Sequence, residues 1–204
     1  MSERDDHHSA VAWTMIVPVK GSPNAKSRLG ASLRQATAIA LDTVDAALGV
    51  AAVVVVTRRA CAEPFRALGA RVVLDPGGGL NAAVAAGVGA AGDGPVAVLL
   101  GDLPALRADE LRRALARAAQ YPKTVLPDLD GRGTVLLTSL GTSRWESAFE
   151  GASATSHERR GYHRLEVPDV PGLRRDVDTR DHLAAVAHRV GRRTRAAFAL
   201  GATR

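Results

Sequence analysis

The hydrophobic residues of this chain come in short runs that alternate with segments of helical spacing. Residues 14–19 form a brief apolar run stopped by Lys20 and Gly21, which predicts a first strand. Leu33, Ala36, Ala40, Leu41, Val44 and Leu48 then recur at intervals that fit one helical face, predicting a helix over 32–48. Residues 52–56 are an almost unbroken valine run, the pattern of a strand covered on both faces by crossover helices. The alternation repeats with a helix over 64–68, a strand over 71–74, and a helix over 80–91 after Gly77, Gly78 and Gly79. A strand over 95–100 and a helix over 109–119 follow. This order predicts an α/β fold, a mostly parallel sheet with helices on both faces. Loops that follow parallel strands gather at one edge of such a sheet, and ligands bind there.

Beyond Tyr121 the rhythm changes. Residues 124–126 and 134–138 read as strands joined by a turn containing Asp130 and Gly131, so an antiparallel pair is expected. Residues 143–160 are polar with helical stretches, 163–167 suit a further strand, and 179–190 a closing helix. The chain thus divides into a disordered lead-in over 1–12, one domain over 13–190, and a basic tail over 191–204. The lead-in holds Glu3, Asp5 and Asp6 where a signal peptide would need a basic and then an apolar stretch. No apolar run approaches the ~20 residues needed to span a bilayer.

Composition refines this picture in three ways. A hydrophobic content of 46% with 24% charged residues excludes wholesale disorder, and an aromatic content of 3% predicts an aliphatic core. The net charge of +6 invites a nucleic-acid reading, but Arg189, Arg192, Arg193, Arg195 and Arg204 supply five of those charges at the C-terminal end. The basicity is therefore local, and a solvated tail is the simpler account than RNA binding. The single cysteine, Cys61, rules out an intrachain disulfide and a multi-cysteine metal site, which fits a reducing cytoplasm.

Four segments at the predicted binding edge carry candidate chemistry. The loop after the first strand holds Lys20, Lys26 and Arg28, three cations suited to phosphates, although its spacing is not that of a P-loop. Asp102, in Gly101-Asp-Leu-Pro104, follows a very apolar strand, where a carboxylate can hold a divalent ion that bridges nucleotide phosphates. Asp176 and Asp178, two apart in an extended segment, project to the same side, and two like charges so placed call for a cation. Arg174 and Arg175 offer one structural alternative, and a helix-capping role for Asp178 offers another. Asn81, beside Leu80 at a helix start, either caps that helix or turns its amide to a nucleobase. His157, His163, His182 and His188 are scattered, with most expected at the surface.

Taken together, Val17-Pro-Val-Lys20, Ala25-Lys-Ser-Arg-Leu29, Leu80-Asn81, Gly101-Asp-Leu-Pro-Ala-Leu106, Gly133-Thr134, the stretch from Phe149 to His157, and Gly172-Leu-Arg-Arg-Asp-Val-Asp-Thr179 resemble the guanylyltransferases that make the activated precursor of the deazaflavin coenzyme F420. The resemblance implies a Rossmann-like, three-layer nucleotidyltransferase fold and transfer of GMP from GTP to phosphoenolpyruvate or 2-phospho-L-lactate. It implies magnesium, as two ions, on Asp102, Asp176 and Asp178, with Lys26 counted among the catalytic residues. Lys20, Lys26 and Arg28 would meet the triphosphate, and Leu80 and Asn81 the guanine. Thr134, Glu150, Gly151 and Ser153 would line the acceptor site. It further implies a product handed to a downstream deazaflavin transferase, with a homodimer left as an open option. Two positions depart from the family pattern: Glu150 stands where glycine follows Phe149, and Arg132 where a small polar residue is usual. The rival readings are a nucleotidyltransferase for a molybdopterin-like or phosphosugar acceptor, and a non-catalytic RNA-binding protein that uses the basic tail.

Overall fold

A computed structural model describes residues 11–20, 27–143 and 145–200. The valine-rich runs become the strands β1 (Thr14–Pro18), β2 (Ala52–Thr57), β3 (Arg71–Leu74) and β4 (Val96–Leu99), each parallel to its neighbours among these four. The sheet is completed by β5 (Lys123–Pro127), β6 (Thr134–Ser139) and β7 (His163–Arg164), in the order β3-β2-β1-β4-β6-β5-β7. β6 alone runs backwards, antiparallel to both β4 and β5. Reversal has a positional consequence. The last residues of β1 to β5 and the first residue of β6 lie along the same edge of the sheet.

Strand alternation divides the side chains between two layers. Met15, Val17, Val53, Val55, Ala97 and Leu99 face α1 (Leu33–Leu48) and α4 (Ala108–Ala118). Ile16, Val54, Val56 and Val98 face α3 (Leu80–Ala91). Burial on both faces is why these strands lack polar alternation. α3 approaches so closely because of Gly87, where a Cβ would collide with Ile16 and Val56. Ser32 caps α1 and Gln35 returns a bond to the Ser32 amide, which sets the helix start at the position the sequence pattern suggests. A short helix, α2 (Glu63–Ala67), joins β2 to β3.

Four short helices follow β6: α5 (Ser153–Glu158), α6 (Pro171–Arg174), α7 (Arg180–Val186) and α8 (Arg192–Ala197). The helical stretches expected over 143–160 reduce to α5 alone, and the strand expected over 163–167 is two residues long. The closing helix expected over 179–190 ends at Val186.

The basic tail is the clearest difference from the sequence-based expectation. Residues 192–197 form α8, which docks on α1. Asp42 of α1, 8% exposed, accepts from the amides of Arg193 and Thr194 at 3.2 and 2.7 Å, capping the incoming helix from across the chain. The Arg193 guanidinium pairs with Asp45 at 2.8 Å, and Arg189 reaches the buried Glu110 at 2.7 Å. These arginines are internal counter-charges rather than a solvated cationic surface. Of the lead-in expected over 1–12, residues 1–10 lie outside the described residues, and Val11 packs against the core.

Candidate active site

The edge at which β1 to β4 end opens into a cleft of about 490 Å³. Pro18, Val19 and Lys20 at the end of β1 form one wall, and Leu100, Gly101 and Asp102 after β4 form another. Opposite lie Asp75, Gly77, Gly78, Gly79 and Leu80. The three glycines have φ of +81°, +82° and +93°, a conformation that side chains resist, and they bring bare backbone to the cleft. Asp75 fixes this turn by accepting the Gly77 amide at 2.9 Å. Asp75 and Arg58 are cleft residues that the sequence pattern did not single out. Each sits just past the end of its strand, and that position was the available signal.

At the cleft mouth three carboxylates converge. Asp102, Asp176 and Asp178 each offer an oxygen, and these atoms all lie within 4.8 Å of one another. Backbone geometry enforces this. The Val177 amide donates to the Asp102 carbonyl at 3.0 Å, and the Val177 side chain is fully buried with Ile39, Ala105 and Leu183. With Val177 pointing inwards, Asp176 and Asp178 face the other way, towards Asp102. The loop that carries Asp102 is held twice more. Thr43 of α1 accepts the Leu103 amide at 3.0 Å, and the Gly191 amide donates to the Pro104 carbonyl at 2.8 Å.

Neither Asp178 as a helix cap nor Arg174 as a counter-charge is what the structure shows. Thr179, not Asp178, caps α7 by accepting the His182 amide at 3.1 Å. The Arg174 guanidinium binds the carbonyls of Pro127 and Asp128, at 3.2 and 2.8 Å, and so clamps the β5–β6 turn. Hard oxygen ligands in this number suit a divalent cation shared with phosphate oxygens.

Of the cationic loop, Lys20 lines the cleft and Arg28 is exposed on a short turn over Ser27–Leu29, while Lys26 lies outside the described residues. Leu80 lines the cleft at 37% exposure. Asn81 does not cap α3, whose N-cap is Gly79; its Oδ1 accepts the Phe149 amide at 2.9 Å.

Thr134 begins the reversed strand. Leu99 pairs with Leu136, and the Leu100 amide bonds to the Val135 carbonyl, so the register brings Thr134 level with Gly101, one strand from Asp102. Thr134 and Ser153 are buried, at 2% and 5% exposure, and joined by a hydrogen bond from Ser153 Oγ at 3.1 Å. The third member of this network is His157. His163 and His188 are exposed, as expected of most of the histidines, whereas His157 is fully buried. Its Nε2 accepts the Ala148 amide at 2.9 Å, so the neutral ring carries its proton on Nδ1 and donates to Thr134 Oγ1 at 3.0 Å. Burial, assisted by the nearby Arg160 charge, lowers the His157 pKa to about 4, keeping the ring neutral near pH 7. Thr134 thus accepts twice and keeps its own proton to donate. The Phe149 and Tyr162 rings meet His157 edge-on at 5.0 and 5.5 Å, concentrating much of the scarce aromatic content here. Glu150, Gly151 and Arg132 are less enclosed. Glu150 and Gly151 are exposed on the approach to α5, with Gly151 at φ +56°, and Arg132 is exposed in the β5–β6 turn.

Residues 29–170 match the MobA-like NTP transferase domain. The chain belongs to that family. Its relatives are also close in sequence. A phosphoenolpyruvate guanylyltransferase of Streptomyces coelicolor is 47% identical over 92% of this chain and 96% of its own. One from Salinispora arenicola is 45% identical over 93% and 94%. Among solved structures, a Desulfovibrio desulfuricans chain assigned as a nucleotide-diphospho-sugar transferase superposes with a TM-score of 0.62 at 20% identity, covering 92% of this chain and 94% of that one. A CMP:2-keto-3-deoxy-manno-octonic acid synthetase in complex with CTP gives 0.58 at 13% identity, covering 86% and 96%. This family's fold is therefore the three-layer nucleotidyltransferase fold expected from the sequence, and the protein is a nucleotidyltransferase. Among the described residues no helix is long and apolar enough to cross a membrane.

Proposed function

We propose that the protein transfers GMP from GTP to phosphoenolpyruvate, releasing diphosphate, and so makes the activated precursor that a downstream deazaflavin transferase uses in coenzyme F420 biosynthesis. The observation that carries this reading is the convergence of Asp102, Asp176 and Asp178 at the mouth of a glycine-walled cleft, in a chain 47% identical to a phosphoenolpyruvate guanylyltransferase. The three carboxylates are the residues that would hold magnesium, as two ions, which when bound supplies charge neutralisation at the transferring phosphate.

The remaining work falls to the chain itself. Lys20 attracts the triphosphate, with Lys26 and Arg28 assigned to the same task. The backbone of Gly77, Gly78 and Gly79 lets the nucleotide lie close, and Leu80 covers the base; the neighbouring Asn81, itself outside the cleft lining, is assigned to the base through its Nδ2 group. The acceptor lies across the reversed strand, over Thr134 and Ser153 and against Gly151 and Glu150. Its phosphate is already anionic, so no protein base is needed. A phosphate oxygen attacks the α-phosphorus of GTP, a P–O bond forms, and the bond to the bridging oxygen breaks with its electrons leaving on diphosphate. Catalysis rests on holding two anions in line.

Diphosphate release tests this directly, with GTP or ATP and with phosphoenolpyruvate, 2-phospho-L-lactate or 3-phosphoglycerate as acceptor. The reading requires release with GTP and phosphoenolpyruvate together. Activity confined to another acceptor, or indifference to the base, would overturn it.

A further inference from the structure

Two neighbouring backbone amides in the segment before α5 are held from opposite sides. Ala148 donates to His157 Nε2 at 2.9 Å, and Phe149 donates to Asn81 Oδ1 at 2.9 Å. The first anchor belongs to the buried network under Thr134 and Ser153, and the second stands at the start of α3 beside the nucleotide cleft. The segment has no regular secondary structure between Trp145 and Phe149, so backbone pairing of that kind does not fix it. Its other support is apolar and edge-on: Phe149 against His157, and Trp145 against Tyr162 at 6.3 Å, whose hydroxyl donates to the Glu146 carbonyl at 2.7 Å. The next residues, Glu150 and Gly151, are those assigned to the acceptor.

We propose that His157 and Asn81 are positioning residues that set the acceptor-binding segment 145–152, with Asn81 joining it to the helix that flanks the nucleotide. Neither residue needs to touch the acceptor. His157 acts through the Ala148 amide and through the Thr134 hydroxyl, whose own proton it leaves to donate elsewhere. Asn81 has two separable groups: Oδ1 holds the segment, while Nδ2 remains for the base. The proposal rests on the acceptor reading above.

Three variants separate these roles. Asn81→Leu removes both amide groups, Asn81→Asp keeps an acceptor oxygen for Phe149 but loses the donor, and His157→Phe keeps an aromatic ring but loses both nitrogens. In Asn81→Leu and His157→Phe, the KM for phosphoenolpyruvate should rise about tenfold, as expected for a lost, partly buried hydrogen bond that orders a binding segment. In His157→Phe the KM for GTP should stay within about twofold of wild type. Asn81→Asp should restore the phosphoenolpyruvate KM whatever it does to GTP. Amide hydrogen exchange reads the same anchoring without turnover: protection at Phe149 is lost in Asn81→Leu and kept in Asn81→Asp, and protection at Ala148 is lost in His157→Phe. If Asn81→Leu instead weakens only GTP, with Phe149 still protected, the proposal is overturned. A wild-type protein silent with phosphoenolpyruvate would sink the acceptor assignment alone, because the exchange pattern still decides the anchoring.

Discussion

The amide of Val177 and the carbonyl of Asp102, 3.0 Å apart, join two chain segments separated by most of the C-terminal half of the domain. This bond brings the three carboxylates together. It also means that main chain sets how close the three carboxylates come, and that spacing suits a shared divalent cation.

The first prediction concerns the ligand set that this spacing creates. Asp178→Asn should lower turnover on the order of a hundredfold or more, since one ligand oxygen of the charged set is lost. Diphosphate release measures the effect. A variant with near-normal turnover would remove Asp178 from the proposed metal set.

Thr43 lies outside the cleft but supports it. Thr43→Val leaves the buried Leu103 amide without its acceptor and should cost about 1–3 kcal/mol. Because this loop carries Asp102, turnover should fall together with the urea midpoint. Unchanged activity in a destabilised variant would show that the loop keeps its geometry without Thr43.

Removing residues 191–204 should lower both stability and activity, since Asp42 loses the two amides it caps and Pro104 loses the Gly191 amide. Asp42→Ala isolates the capping part and should cost about 1–2 kcal/mol. Thermal unfolding of the two variants checks this. A truncated protein as stable as the full chain would restore the tail to the role suggested by its charge alone.

His157 links stability to pH. Its folded pKa is depressed to about 4 from an ordinary 6.5, chiefly by burial and then by Arg160, with the weakly ionising Tyr162 ring packed beside it. Between those values the unfolded chain binds the extra proton. Its contribution is therefore fully present above pH 6.5 and is lost as pH falls to 4, by about 3 kcal/mol. Urea unfolding across this range should show that slope in the wild type and a flatter one in His157→Phe.

The sequence was most informative where one local rule decides the outcome. The valine runs specify strands covered on both faces, Ser32 with Gln35 marks a helix start, and the spacing of Asp176 and Asp178 places both on one side of an extended segment. It was least informative where a partner lies far along the chain. Nothing near Arg193 indicates Asp42, so a charge run that ends in a docked helix reads as a tail. Likewise His157 has no local mark of burial, because its partners come from Thr134 and Ala148. Asn81 stands in plain view at a helix start, yet the amide that its oxygen accepts lies sixty-eight residues on. Lys26 lies outside the described residues, so its assignment still rests on the motif.

The reversed strand separates two chemistries within one sheet. All three carboxylates proposed to hold the metal lie outside residues 128–158, while the hydroxyls, the histidine and the loop assigned to the acceptor lie inside. That span begins at the end of β5 and returns before β7, and its one strand, β6, is held on both sides by β4 and β5. Exchanging that span between relatives is therefore expected to carry acceptor preference with it while the nucleotide half stays as it is, provided Asn81 still finds its amide.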